Sequence, residues 1–145
     1  MITYVKEPRL FEDFEKGITN AIVIPVNCVG VMEKGVALEA KKRWLKLAND
    51  WKLFCQTQKV TPGMVHRFSL CPQLFVPTKK HWKNSSEIEN IEQACLNMQK
   101  LTENLVSIGV PALGCGLGGL QWNDVKALYE KYLTDSPIHF ICYEP

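Results

Sequence analysis

"VPALGCGLGGLQW", residues 110–122, decides the reading of this chain. The apolar run "LVSIGV" (105–110) leads into it, and the helical pattern "NDVKALYEKYL" (123–133) follows it. Between them stand Gly114, Gly116, Gly118 and Gly119. Glycine in a folded segment costs about 0.5–1 kcal/mol relative to alanine, because it has more backbone freedom to lose. A cluster of glycines suggests that something must approach the backbone closely. "LGCGLGGLQW" has no Ser, Asp or Pro of the usual loop kind. The stretch reads as strand, ligand-wrapping loop and helix, with a plain surface loop as the alternative.

The same alternation runs outward along the chain. "AIVIPVNC", "MVHRFSL", "LFVPT", "LVSIGVPAL" and "IHFICYE" are short apolar runs of the buried-strand kind, and "MITYV" suits a first or edge strand. "SEIENIEQACLNMQKLTENL" (86–105) sets Ile88, Ile91, Cys95, Met98, Leu101 and Leu105 on one helical stripe. Its opening serines and acids suit a capped N-terminus. "VALEAKKRWLKLA" (36–48) gives Val36, Ala37, Ala40, Trp44 and Leu47 the same spacing. In 123–133, Asn123 is the expected cap, with Val125, Leu128, Tyr129 and Tyr132 facing inward. Strands alternating with helices predict an α/β layered domain with a largely parallel sheet. No repeat or linker divides residues 1–145, so one domain is expected.

Bulk properties bound the function. A net charge of +2 is too small for bulk nucleic-acid binding, so any such role must come from a local site. No apolar run has the roughly 18–20 residues of a membrane span, and "MITYVKEPRL" lacks the pattern of a signal peptide. The six cysteines (Cys28, Cys55, Cys71, Cys95, Cys115, Cys142) are scattered, most of them in apolar runs. They read as free thiols acting as small hydrophobes, which implies a reducing, cytoplasmic setting. No Cys-x-x-Cys pair occurs, and His66, His81 and His139 lie far apart, so no metal is expected.

In parallel sheets, ligands bind where the carboxyl ends of strands lead into helices. Three segments fall at such places. "VNCVGVMEKGVALEAKK" holds Gly30 and Gly35 ahead of a helix, where main-chain amides and the helix end can meet an anion, although taken alone a plain turn is the better reading of this stretch. Asn27, at the strand end, either recognises a hydroxyl or satisfies the turn. "GCGLGGL" is the second segment. The third is "FVPTKKHWKN", in which Lys79, Lys80, His81, Trp82 and Lys83 form a basic cluster. Such a cluster is a solvated face, or at a strand end a source of charge or of a nucleophilic amine.

Taken together and in order, "IVIPVNCVGVMEKGVALEAKKRW", "FVPTKKHWK" and "VPALGCGLGGLQWNDV" resemble macro domains, the ADP-ribose-binding modules. More narrowly, they resemble the branch that holds the DarG antitoxins and the terminal ADP-ribose protein glycohydrolase. The resemblance implies a three-layer α/β/α fold with a mixed, largely parallel central sheet. It also implies an ADP-ribose cleft across the strand ends. Leu113, Gly114, Cys115, Gly116, Leu117, Gly118, Gly119 and Leu120 would line that cleft for the diphosphate and distal ribose. Gly30, Val31, Met32, Gly35 and Val36 would form the opposite wall. By match to the motifs, Asn27 would bond the distal ribose, Thr78 would adjoin it, and Lys79 would be the catalytic lysine at the anomeric carbon.

The chain also departs from the pattern. Glu33 stands where DarG-like loops carry glycine, and Gly118 stands where the human enzyme carries an assisting aspartate. "EPRLFEDFEKGI" fits the family poorly. The function implied is an ADP-ribosyl glycohydrolase that removes ADP-ribose from modified nucleic acid or protein. A phosphatase of ADP-ribose 1″-phosphate and a non-catalytic reader are the alternatives. The partner expected is ADP-ribose or an ADP-ribosylated substrate such as DNA, bound by a monomer with no cofactor and no membrane contact.

Overall fold

Alternation of apolar side chains along two central strands explains the architecture of the computed structural model, which describes residues 1–102 and 104–145. Strand β2 (Ala21–Asn27) turns Ala21 and Val23 to one face, and Ile22, Ile24 and Val26 to the other. Strand β4 (Gln73–Lys79) divides Leu74 and Val76 from Phe75 in the same way. Both faces are buried, so both need a helical cover. One is covered by α4 (Ile88–Gln99) and α5 (Trp122–Leu133), through Ile91, Cys95, Met98, Val125 and Tyr129. The other is covered by α1 (Leu10–Glu15), α2 (Gly35–Arg43) and α3 (Leu45–Thr57), through Leu10, Phe11, Ala40 and Trp51. This is the three-layer α/β/α arrangement.

Strands β1 (Ile2–Val5), β3 (His66–Arg67), β5 (Ser107–Val110) and β6 (His139–Tyr143) complete a six-stranded sheet of order β1-β6-β5-β2-β4-β3. Every pairing is parallel except β3 with β4, so the sheet is mixed. The neighbours β5, β2 and β4 end side by side, and their carboxyl ends lead into the three loops singled out by sequence.

Several sequence expectations are corrected. The helix expected over 36–48 is two helices, broken at Trp44 (φ −134°, ψ 65°), whose ring packs on Phe11 and Phe14 of α1. "MVHRFSL" supplies only the two-residue β3. The predicted helix over 86–105 ends at Gln99; its position 103 lies outside the described residues, and Leu101 and Leu105 reach the core from beyond the helix. Neither Ser85 nor Ser86 caps α4, whose cap residue is Glu87, and Asn123 lies inside α5 behind the cap residue Gln121. "EPRLFEDFEKGI" supplies α1, whose Asp13 carboxylate is buried against the Tyr143 hydroxyl (2.6 Å) and the Arg9 side chain (3.1 Å).

All six cysteines are free. Burial pushes the Cys95 thiol up to about 12 and those of Cys28 and Cys55 to about 11, so they stay protonated at neutral pH.

Candidate functional site

The first wall of the site is organised by one amide. Asn27 Oδ1 accepts hydrogen bonds from the main-chain N–H groups of Val29 (3.1 Å), Gly30 (3.0 Å) and Val31 (3.2 Å), and its Nδ2 donates to the Val31 carbonyl (2.9 Å). The side chain thus closes the loop after β2 on itself. Of its two N–H donors, one remains for a ligand. Gly30 adopts φ +82°, and a Cβ there would lie 2.7 Å from the Lys52 Cα; the glycine lets the loop lie on α3. Met32 is buried beneath the loop, in the core of the α1–α3 layer. The loop delivers the chain to α2, which no side chain caps. Among the described residues, no protein acceptor takes the amides of Gly35, Val36 or Ala37. They form the positive end of the helix, and all three residues line the cleft.

The second wall is the loop from β5 to α5. It is held from below by Tyr129, wholly buried, whose hydroxyl donates to the Pro111 carbonyl (2.6 Å) and accepts from the Leu113 N–H (3.0 Å). Gly114 (φ +75°) accepts the amide of Leu120 (2.9 Å) and so closes the loop. Gly118 fits only because it lacks a side chain. A Cβ there would be 2.5 Å from the Gly114 carbonyl and would collide with Ser86 Oγ. Gly116, by contrast, has nothing within 4 Å of its Cβ direction. Among the described residues, the amides of Gly116, Leu117 and Gly118 take no protein acceptor.

The floor comes from β4. Its register against β2 shifts between Val26, which faces Pro77, and Asn27, which faces Lys79. Thr78 is therefore an extra residue in the ladder. Irregularities of this kind re-aim the side chains beside them. Lys79 lines the cleft and makes no ion pair among the described residues. Lys80 is exposed outside the cleft, with its charge acting on the Cys28 thiol.

These parts enclose a cleft of about 860 Å³. It is lined by Asn27, Val31, Gly35, Val36, Thr78, Lys79, Gly114, Gly116, Leu117 and Gly118 of the residues expected from sequence. Gly30, Met32, Leu113, Cys115, Gly119 and Leu120 are not among the lining residues. Leu113 is core, while Cys115 and Leu120 pack on that core. Burial raises the Cys115 thiol, so it is no thiolate at neutral pH. Glu33 lines the cleft but is paired with Lys41 at 2.7 Å, which offsets its charge. Sequence reasoning left Ser86, Trp82, Lys83 and Lys34 unassigned to the cleft, and all four line it. Among the described residues, no cluster of three or more His, Cys, Asp or Glu could hold a metal ion.

Tyr129 gives a test of how the second wall is held. Tyr129→Phe leaves a buried amide and carbonyl unpaired, which costs about 1–3 kcal/mol. We expect the midpoint of urea unfolding to fall accordingly and ligand affinity to weaken as the glycine loop loosens. Unchanged unfolding and binding would remove the tether from the account.

Two loops with main-chain amides that lack protein acceptors among the described residues face each other across the strand-end Lys79, at the carboxyl ends of the strands of a three-layer α/β/α domain. The chain belongs to the macro domain family: the family model "Macro domain" matches residues 23–129. Over its full length it is 36% identical to a protein of Mycobacterium tuberculosis named DNA ADP-ribosyl glycohydrolase, of which it spans 42%. Among solved structures, the macrodomain of Thermus aquaticus DarG superposes with a TM-score of 0.85 at 32% identity, covering 100% of this chain and 99% of that one. Thermosipho africanus DarTG in complex with ADP-ribose gives 0.85 at 31% identity, covering 99% of this chain and 41% of the other.

Proposed function

We propose that this domain is an ADP-ribosyl glycohydrolase that removes ADP-ribose from modified DNA. The observation that carries the reading is the unpaired Lys79 on the floor between the two loops whose amides lack acceptors. The loops supply neutral donors for a diphosphate, and the helix α2 end adds partial positive charge. Lys79 then stands at the distal ribose. The names of the DarG relatives and the ADP-ribose-bound Thermosipho structure support the same ligand. The chain spans well under two thirds of the relatives' length, so the reading concerns this domain.

Cleavage breaks the bond between C1″ and the modified base. Two roles are open to Lys79: its amine attacks C1″ as the base departs with a proton, and water then hydrolyses the adduct to free ADP-ribose, or its ammonium offsets the charge on the departing base as water attacks C1″. Borohydride added during turnover separates them, since only the first leaves a covalent adduct on Lys79. Asn27 holds the first wall in shape and offers its remaining N–H to the ribose. Gly118 leaves no place for a carboxylate at the position where the human enzyme carries one, and the one carboxylate lining the cleft among the described residues, Glu33, is paired with Lys41.

The test is release of free ADP-ribose from an ADP-ribosylated single-stranded oligonucleotide, set beside ADP-ribosylated protein and ADP-ribose 1″-phosphate. Release from the oligonucleotide alone, or fastest from it, is the expected result. ADP-ribose binding without turnover of any of the three would make the domain a reader. In calorimetry, ADP-ribose should bind in the micromolar range and AMP at least about tenfold more weakly, a difference of roughly 1.4 kcal/mol. Equal affinities would remove the distal ribose from the cleft.

A further inference from the structure

Large apolar side chains are left open on the rim of this cleft, on both of its sides. Trp82, on the turn after β4, is 50% exposed, and Leu117, at the tip of the glycine loop, is 70% exposed; both line the cleft. The turn that carries Trp82 is fixed rather than loose. The His81 N–H donates to Asn84 Oδ1 (3.1 Å), the Asn84 N–H to the His81 carbonyl (3.0 Å), and the Lys83 N–H to His81 Nδ1 (3.2 Å). An aromatic ring held on a braced turn loses little freedom when something stacks on it. The Lys83 ammonium lies 5.2 Å from the Trp82 ring centroid and also lines the cleft.

A braced indole with a cation over its ring, and an apolar side chain on the glycine loop, match one unit of a nucleic-acid strand: a base with its phosphate. Stacking on an aromatic ring serves any base, and the neighbouring cation serves the backbone. The position fits as well. Trp82 follows Lys79 by three residues and lines the same cleft, so a lysine acting at the anomeric carbon puts Trp82 near the group attached there.

We propose that Trp82, with Lys83 and Leu117, forms a subsite for the nucleobase that carries the ADP-ribose or for its neighbour on a single strand. The proposal rests on the glycohydrolase reading above and names the acceptor it works on. Trp82 touches the leaving group in this scheme, whereas the ADP-ribose part is held elsewhere in the cleft.

The test compares wild type, Trp82→Ala and Trp82→Phe. Trp82→Ala should lower kcat/KM on an ADP-ribosylated single-stranded oligonucleotide about tenfold or more, the effect expected from loss of one stacked base. Affinity for free ADP-ribose should change less than about twofold, and Trp82→Phe should recover most of the loss. Lys83→Ala should reduce the salt dependence of KM on the same oligonucleotide. A second measurement needs no turnover: an unmodified single-stranded oligonucleotide added to the ADP-ribose-saturated protein should quench tryptophan fluorescence in wild type and not in Trp82→Ala. If wild type releases nothing but quenching persists and depends on Trp82, the hydrolase reading fails and the subsite stands. If turnover on DNA is normal in Trp82→Ala, the subsite is overturned and the hydrolase reading stands. Equal losses of ADP-ribose affinity and of turnover would place Trp82 in the ADP-ribose pocket and overturn the proposal. So would equal effects on ADP-ribosylated protein.

Discussion

We expect Lys79→Ala to lower the proposed release of ADP-ribose from modified DNA by about a hundredfold or more, the scale of loss when a group that meets developing charge is removed. Affinity for free ADP-ribose should fall far less, since the substitution leaves the main-chain amides of the two loops in place. Lys80→Ala is the control: it removes the same charge one residue away, from a side chain outside the cleft. If general attraction of a polyanion were the cause, the two variants would lose activity alike, and added salt would narrow both differences. A loss confined to Lys79 and indifferent to salt marks a group acting on the reacting carbon. Parallel losses would move Lys79 from chemistry to attraction.

Gly116→Val gives the largest expected change in binding. Nothing lies within 4 Å of the Cβ direction of Gly116, and Gly116 lines the cleft. The branched side chain therefore leaves the fold alone and takes the volume meant for ligand. We expect ADP-ribose affinity to fall about a hundredfold, equivalent to roughly 3 kcal/mol, with the thermal midpoint unchanged. Gly119→Val is a poorer probe, because φ +79° strains any side chain there whatever the space. Gly118→Ala differs again: its Cβ meets the Gly114 carbonyl, so the loop itself must move and stability falls together with binding. Wild-type affinity in Gly116→Val would show that the loop lines no ligand site.

The contrast among these glycines shows what the sequence could and could not say. Their placement between strand and helix was legible, because strand ends in a parallel sheet are where loops meet ligands. Their separate duties were not. Gly30 serves contact with Lys52 of α3, and Gly118 serves contact with Ser86, partners distant in sequence, as well as with Gly114 of its own loop. Asn27 was legible as a polar residue at a strand end, but its oxygen turned out to be taken by three amides of the next loop. Strands β2 and β4 were plain as continuous apolar runs, since both of their faces are buried. The break at Trp44 was hidden, because helical spacing continues through it and only packing on α1 reveals it. Tyr129 read simply as an inward aromatic. Its tether to Pro111 and Leu113 is a tertiary bond with no sequence signature. The extra residue Thr78, which sets how Lys79 faces the cleft, likewise depends on the register of two strands.

The separation of the apolar core into two layers has a consequence for the cleft it supports. Met32 roots the first wall in the layer of α1, α2 and α3, whereas Leu113 and Tyr129 root the second in the layer of α4 and α5. The sheet stands between these foundations like a partition. The two halves of the jaw thus rest on separate foundations, and Lys79 stands on the sheet that divides them.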